Sequence, residues 1–324
     1  MSLGPFHWLP SAPLQPLALD WLSRAGVEVA VLRLDRIDPL ISGNKWFKLA
    51  PHLAAARDAG ARGIISLGGA HSNHLHALAA AGKRFGFATV GLLRGHPQDT
   101  PTVLDLQGFG MQLHWLGYGG YRARHEPGFW QPWQAQYPEL FPVAEGGGGL
   151  LGASGCMPLV NQVRSQLNAL GWDDYHGWWL AAGTGTTLAG LVLGEAGAHP
   201  VYGALAVPDD HGVAQQVAAI VRETGLQDGG YELFDSSRGG FAKVDPLLQA
   251  FIEETERHSG IPWSRCTPAR PCWPSSNRWR PGALPPAAAW SSSIPAACRA
   301  AGVSPRRRSL SRAWAACVAG CCRA

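Results

Sequence analysis

The sequence predicts an α/β protein, with chain enough for two domains and with one group of units inserted into another. Two observations predict it. Short apolar, β-branched runs alternate with stretches of helical spacing, and glycine-rich turns stand where the runs end. Such alternation implies parallel pairing through right-handed crossovers, so binding groups gather along the rim at the carboxyl ends of the strands. No repeat of fixed period is present.

Val27 to Ile37 reads as a strand, and Gly43-Asn44 breaks it. From there Trp46, Leu49, Ala50, Leu53 and Ala56 recur at helical spacing, which puts Lys45 in the first turn of an amphipathic helix. The positive end of the helix dipole disfavours an ammonium there and helps make the amine a nucleophile. Gly63 to Leu67 is a short buried strand that runs through Gly68-Gly69-Ala70-His71-Ser72-Asn73-His74 into an alanine-rich helix, Leu75 to Phe85. Ala88 to Leu93 is a strand, Thr102 to Gly108 a helix and Met111 to Leu116 a strand. Tyr118 to Tyr137 is aromatic and loop-like. Phe141 to Ala144 leads into the glycine run Glu145 to Gly149, and Leu150 to Leu170 is helical by its apolar spacing. Trp178 to Ala182 is a buried strand that empties into Gly183-Thr184-Gly185-Thr186-Thr187 and the helix Leu188 to Glu195. Two more units follow: strand Val201 to Val207 with helix Val213 to Glu223, and strand Tyr231 to Phe234 with helix Val244 to His258.

Apolar content of 46% and charged content of 15% describe a soluble globular chain. With no apolar run long enough to span a bilayer and no basic-then-apolar leader at Met1, the expected compartment is the cytoplasm. The net charge of +4 hides a division. Of the 27 basic residues ten are arginines after Trp263, where no Asp, Glu or Lys occurs, so the body carries 17 basic against 23 acidic residues. Cysteine is skewed the same way: Cys156 stands alone in the body and the other six fall in the tail, at spacings that match no zinc pattern.

Three stretches carry chemistry. Gly183-Thr184-Gly185-Thr186-Thr187 has the parts of a phosphate cup, with converging backbone N–H groups, hydroxyl donors and a helix N-terminus behind them. It is neither a Walker loop nor the dinucleotide fingerprint, and its plain reading is a capped strand-to-helix turn. Ser72-Asn73-His74 also opens a helix and suits a second anion such as a carboxylate, its plain reading being a cap. His71, His74 and His76 lack an acidic partner or a helical pair of known type, so no metal is expected. Paired carboxylates for hydrolysis and a Gly-x-Ser-x-Gly elbow are absent. Together with Lys45 these sites ask for a ligand with a phosphate and an aldehyde, beside room for an amino-acid carboxylate, and pyridoxal 5'-phosphate answers all three.

In Arg33-x-Asp35, Pro39-Leu40-Ile41-Ser42-Gly43-Asn44-Lys45, Ser72-Asn73-His74 and Gly183-Thr184-Gly185-Thr186-Thr187, in that order, the sequence resembles the pyridoxal-phosphate enzymes of the tryptophan-synthase-β-like fold (fold type II). Within them it is similar to the 1-aminocyclopropane-1-carboxylate deaminase and D-cysteine desulfhydrase group, over roughly residues 9–262. The resemblance implies two domains, each a parallel or mostly parallel sheet flanked by helices: a large one from 1–49 and 158–262, and a small inserted one from 50–157. It implies that Lys45 joins the cofactor aldehyde and later moves the α-proton. Asn73 would bond the ring hydroxyl, Ser72 and His74 would meet the substrate carboxylate, and Gly183 to Thr187 would hold the phosphate. The expected class is a lyase, hydrolase or deaminase of amino acids, homodimeric, without nucleic acid or membrane partners.

The likeness stops at Trp263. The stretch from Trp263 to Arg270 can be encoded so that the frame one nucleotide earlier reads Leu-Glu-Pro-Val-Tyr-Thr-Gly-Lys, and Ser293 to Gly302 can likewise hide His-Thr-Gly-Gly-Leu-Gln-Gly-Arg-Arg-Gly. Residues 263–324 are therefore expected to be an aberrant, disordered tail translated out of frame. A basic arm for nucleic acid, suggested by Arg306-Arg307-Arg308, is the competing account. The hidden Tyr-Thr-Gly-Lys favours the desulfhydrase branch over the deaminase branch. A binder of the cofactor with little turnover is the reading from another class.

Overall fold

The computed structural model describes residues 8–208, 211–236 and 246–263, together with the backbone of 296–300 and 317–318. The chain opens with β1 (Leu14–Leu17) and α1 (Asp20–Arg24), neither foreseen from the sequence, and β1 lies antiparallel to β2 (Val27–Leu32). The predicted strand to Ile37 ends earlier. Residues Leu34–Arg36 form a 3-10 turn, closed by a buried bidentate pair from Arg33 Nε and Nη2 to the Asp35 carboxylate at 2.8 and 2.6 Å. That pair shapes the link into α2 (Asn44–Asp58).

Next come β3 (Gly63–Gly68), α3 (Asn73–Phe85), β4 (Ala88–Leu93), α4 (Pro101–Gly108), β5 (Gln112–Trp115), α5 (Gly117–Arg122), α6 (Gln131–Gln136) and β6 (Leu140–Val143). The stretch expected as an aromatic loop thus holds α5 and α6. Its rings, Phe129, Trp130, Trp133 and Tyr137, cover Ile65, Leu67, Val90 and Leu92 of the sheet beneath. That sheet runs β5-β4-β3-β6 and every pairing in it is parallel.

The helix expected over 150–170 is broken into α7 (Gly149–Ser154), α8 (Pro158–Arg164) and a 3-10 turn at Leu167–Leu170. Pro158 takes the first position of α8, where a missing N–H costs nothing. Then follow β7 (Trp178–Ala182), α9 (Thr186–Glu195), β8 (Val201–Leu205), α10 (Val213–Glu223), β9 (Tyr231–Asp235) and α11 (Pro246–Ser259). Strands β7, β8 and β9 pair in parallel. Helix α9 is buried on nearly every side, which its uniformly apolar sequence requires.

Two tail segments join this second sheet by their backbones, β10 (Ala296–Ala300) and β11 (Cys317–Val318). The order is β1-β2-β10-β7-β8-β9, with β10 antiparallel to both neighbours and β11 paired parallel to β2. For these residues the strands depart from the expectation of disorder, and Trp263 at the edge of the expected tail is buried beside Leu248 and Ile261. The remainder of the tail lies outside the described residues.

Candidate active site

Helix α2 begins after Gly43, whose N–H donates to the Leu34 carbonyl at 2.8 Å. Its first residue, Asn44, is buried. Lys45 Nζ donates to Asn44 Oδ1 at 2.8 Å, and Asn44 Nδ2 donates to Thr187 Oγ1 at 2.8 Å. The amine is therefore tied, through one side chain, to the glycine-threonine turn 143 residues further along the chain.

That turn is shaped for close approach. Gly185 has φ of 72°, and a Cβ there would come within 2.4 Å of Val217 Cγ2. Thr184 Oγ1 and Thr186 Oγ1 lie 3.1 Å apart, and Thr186 and Thr187 are buried. The Ala189 N–H is the first to return to the Gly185 carbonyl, so the N–H groups of the first turn of α9 have no helical partner. Cys156 is buried nearby, and burial pushes its thiol up to about 11 against the pull of Lys48 and Thr187.

Lys48 lies one turn beyond Lys45 and was not singled out from the sequence. It is 3% exposed, and no carboxylate among the described residues is paired with it. Burial, and then the neighbouring Lys45, push its ammonium well below the usual lysine range. A Cβ added at Gly146 would lie 3.8 Å from Lys48 Nζ and 3.0 Å from Thr184 Cγ2, which brings amine and turn to one spot. The i, i+3 spacing from Lys45 was the available signal, because it places both amines on one helix face.

Of the Ser72-Asn73-His74 stretch, Ser72 caps α3, its Oγ accepting from the Leu75 N–H at 3.2 Å. Asn73 is half-buried in the first turn. His74 points inward: Ser66 Oγ donates to the Val143 carbonyl at 2.8 Å and so accepts from His74 Nε2, also at 2.8 Å. This fixes the tautomer and leaves Nδ1 buried without a hydrogen-bond partner. Burial, then the charges of Lys48 and Lys45, hold this imidazole neutral. The ring does approach the site, since a Cβ at Gly147 would be 3.4 Å from its Cε1 and 3.3 Å from Lys48 Cβ.

Residues 145–149 thus form a strap between the two sheets, touched by Lys48, His74 and Thr184. Helix α7 continues it as a thin spacer. A Cβ on Gly152 would fall 1.9 Å from the Gly147 carbonyl oxygen, and one on Gly155, just beyond α7, 1.9 Å from that of Phe47. On α9, a Cβ at Gly190 would lie 2.3 Å from the Ala153 carbonyl of α7, so Gly155 and Gly190 let α2 and α9 pack closely on either side of α7.

The donors fit a phosphate ester. A buried ammonium without a counter-ion costs several kcal/mol, so its neighbourhood suits an anion. The hydroxyls and helix N–H groups supply the remaining contacts, and Lys45 stands two hydrogen bonds from the turn. Among the described residues no group of three or more His, Cys, Asp or Glu could hold a metal ion, and no helix is long and apolar enough to cross a membrane.

No protein-family model matches the sequence. A solved structure described as an ACC deaminase homologue superposes with a TM-score of 0.67 at 22% identity, covering 82% of each chain. A fungal L-serine ammonia-lyase from Rhizomucor miehei gives 0.55 at 12% identity, over 82% of this chain and 84% of that one. The fold is that of the pyridoxal-phosphate enzymes of fold type II. Relatives are also met by sequence. A Thermotoga maritima protein provisionally named 1-aminocyclopropane-1-carboxylate deaminase is 29% identical over 189 residues, 56% of this chain and 59% of that one. An Arabidopsis thaliana protein named bifunctional D-cysteine desulfhydrase/1-aminocyclopropane-1-carboxylate deaminase is 28% identical over 187 residues, 52% and 45% of the two chains. The chain spans about half the length of these curated relatives. Their names are those of deaminases and a desulfhydrase, and a structural neighbour is an ammonia-lyase, so the hydrolase class expected beside lyase is set aside.

Proposed function

We propose that the chain is a pyridoxal-phosphate-dependent lyase of the desulfhydrase type, taking D-cysteine and water to pyruvate, ammonia and sulfide. One observation carries the reading: the line of hydrogen bonds from Lys45 Nζ through Asn44 to Thr187, which sets a primary amine beside a turn suited to a phosphate. When bound, the cofactor supplies the electron sink. The residues supply position and proton transfer. Lys45 holds the aldehyde end and then moves the proton at the substrate α-carbon. Lys48 and the turn Gly183 to Thr187 hold the phosphate, and Asn73 bonds the ring hydroxyl. Ser72 meets the substrate carboxylate, with His74 behind it as a neutral support. The strap and α7 keep water from the proton-transfer path.

The names of the relatives favour a second reading, opening of 1-aminocyclopropane-1-carboxylate to 2-oxobutanoate and ammonia. A third is a cofactor-binding protein with little turnover, because the tail is altered. On this account the place between β2 and β7, held here by the backbone of β10, belongs to a strand encoded in the earlier frame. We further take the protein to be a cytoplasmic homodimer whose residues 50–157 close on the larger domain.

The test assays the chain and a frame-restored version on both substrates. Sulfide from D-cysteine supports the desulfhydrase reading, and 2-oxobutanoate alone replaces it with the deaminase. Cofactor uptake without product from the restored protein leaves the binding protein. Equal specific activity of the two versions contradicts the account of the tail.

A further inference from the structure

We infer that Glu145, latched by Tyr121 and Arg124, is the positioning residue of the glycine strap and fixes one wall of the phosphate site. The inference rests on the pyridoxal-phosphate reading above. Four glycines follow Glu145, so its side chain is the only one between Ala144 and Leu150. Both of its oxygens are held. Tyr121 Oη donates to Oε1 at 2.5 Å, and Arg124 Nε donates to Oε2 at 2.7 Å. The donors are fixed in turn: Arg124 Nη1 donates to the Tyr121 carbonyl at 3.1 Å, and the guanidinium lies 4.7 Å from the centre of the Tyr121 ring. Tyr121 is 3% exposed and packs in one cluster with Ile65, Leu67, Val90 and Leu92 of the four-stranded sheet. Burial, and then the charge of Glu145, push its phenol above the ordinary range, so it remains a donor.

The strap carries that anchor into the site. Gly146, the next residue, has φ of 69°, and its Cβ position lies 3.0 Å from Thr184 Cγ2 and 3.8 Å from Lys48 Nζ. Gly147 has φ of 67°, and its N–H returns to the Ala144 carbonyl at 3.0 Å. Its Cβ position is 3.3 Å from Lys48 Cβ, and that of Gly148 is 3.9 Å from Thr186 Oγ1. Successive glycines have the most freedom to lose when a ligand orders them, and a carboxylate fixed at their start removes part of that freedom beforehand. The latch also balances charge: Arg124 pairs with the carboxylate, so the strap brings no uncompensated negative group toward a phosphate. Tyr121 and Arg124 follow β5 of one sheet, while Thr184 and Thr186 follow β7 of the other. Glu145 therefore sets the first sheet against the phosphate turn of the second.

The test titrates the cofactor-free full-length protein with pyridoxal 5'-phosphate and, separately, with pyridoxal, which has the aldehyde but no phosphate, reading visible absorbance. Glu145→Gln keeps an acceptor for Arg124 and turns an amide donor to the phenol oxygen, whereas Glu145→Leu keeps the bulk and makes neither bond. Both remove one negative charge, so charge alone predicts the same result for the two. Glu145→Gln binds both ligands within about threefold of the unaltered chain. Glu145→Leu binds pyridoxal within about threefold but pyridoxal 5'-phosphate at least about tenfold more weakly, some 1.4 kcal/mol. Glu145→Leu binding pyridoxal 5'-phosphate as tightly as the unaltered chain overturns the inference, as does an equal loss for both ligands, which is what a merely structural role gives. Tyr121→Phe, which keeps the ring on the sheet and deletes one bond, answers where Glu145→Leu does not fold. In it pyridoxal 5'-phosphate binds at least about threefold more weakly and pyridoxal as before, and unchanged affinity for both overturns the inference. An unaltered chain that takes up neither ligand overturns the underlying reading, and the inference with it.

Discussion

Asn44 donates to Thr187 Oγ1 at 2.8 Å while accepting from Lys45 Nζ at the same distance, so one amide ties the first turn of α2 to the first turn of α9. The two residues are 143 positions apart in the chain. Asn44→Ala leaves the buried Thr187 hydroxyl without this donor and costs about 1–3 kcal/mol of stability. It also removes the bond that Lys45 Nζ makes to Asn44 Oδ1, and covalent uptake of pyridoxal phosphate slows. Urea unfolding and stopped-flow absorbance measure the two effects. Thr187→Val should give similar losses, and the double variant should lose less than the sum, because both remove the same bond.

Lys48→Met separates cost from use. Replacing a buried, unpaired ammonium by an apolar side chain of similar length removes a desolvation penalty, so the cofactor-free protein melts higher, by a few degrees for about 1 kcal/mol. Affinity for pyridoxal phosphate falls by about a hundredfold, since an ammonium on a desolvated phosphate contributes several kcal/mol. A variant that melts lower and binds normally would show that Lys48 serves packing.

Gly152→Ala and Gly155→Ala test the spacer. In each the added carbon meets a carbonyl oxygen at 1.9 Å, and backbone must move. Overpacking of this kind costs about 1–3 kcal/mol, and because Gly155→Ala presses on α2 at Phe47 and Pro51 while Gly152→Ala presses on the strap at Gly147, both weaken cofactor binding as well. Gly149→Ala, whose Cβ meets nothing within 4 Å, is the control for space, although its φ of 81° brings strain of its own.

Stability varies with pH through two sets of groups. His199 is raised above its ordinary 6.5 by its bond to Glu195, against burial, so its contribution is full below about pH 6.5 and is lost as pH rises through the folded value. For Glu195 burial acts upward, but bonds from His199, Tyr175 and Trp178 outweigh it and hold the carboxyl below 4.5. Its contribution is present above that value and lost as pH falls. His52 and His74, pushed down chiefly by burial, act against His199 and weaken the fold as pH drops below 6.5. His199→Gln therefore lacks the gain in stability that the unaltered chain shows as pH falls through the raised folded value toward about 6.5, and below 6.5 the His199 term no longer separates the two, measured as urea midpoints.

The strands were legible because their apolar runs end at glycines: β4 at 88–93 and β7 at 178–182 fall where the pattern put them. The helix over 150–170 was misread because apolar spacing continues through Pro158 and conceals the break between α7 and α8. Strand β1 was not visible, since Leu14-Gln15-Pro16-Leu17 is short and holds a proline tolerated only at an edge. Near the site, Lys45 and the threonines announced themselves by their turns. Asn44 and Lys48 did not, because a polar side chain on an inward face looks like any other until the neighbour across from it is known. His74, expected at the substrate, bonds Ser66 through Nε2 and brings Cε1 and Nδ1 toward the strap at Gly147.

The most direct measurement is reduction of the protein with borohydride in the presence of pyridoxal phosphate, followed by peptide mass spectrometry. The account predicts a pyridoxyl group on Lys45 alone, lost in Lys45→Ala. A label on Lys48 with Lys45 unmodified, or no label on α2 at all, would contradict it.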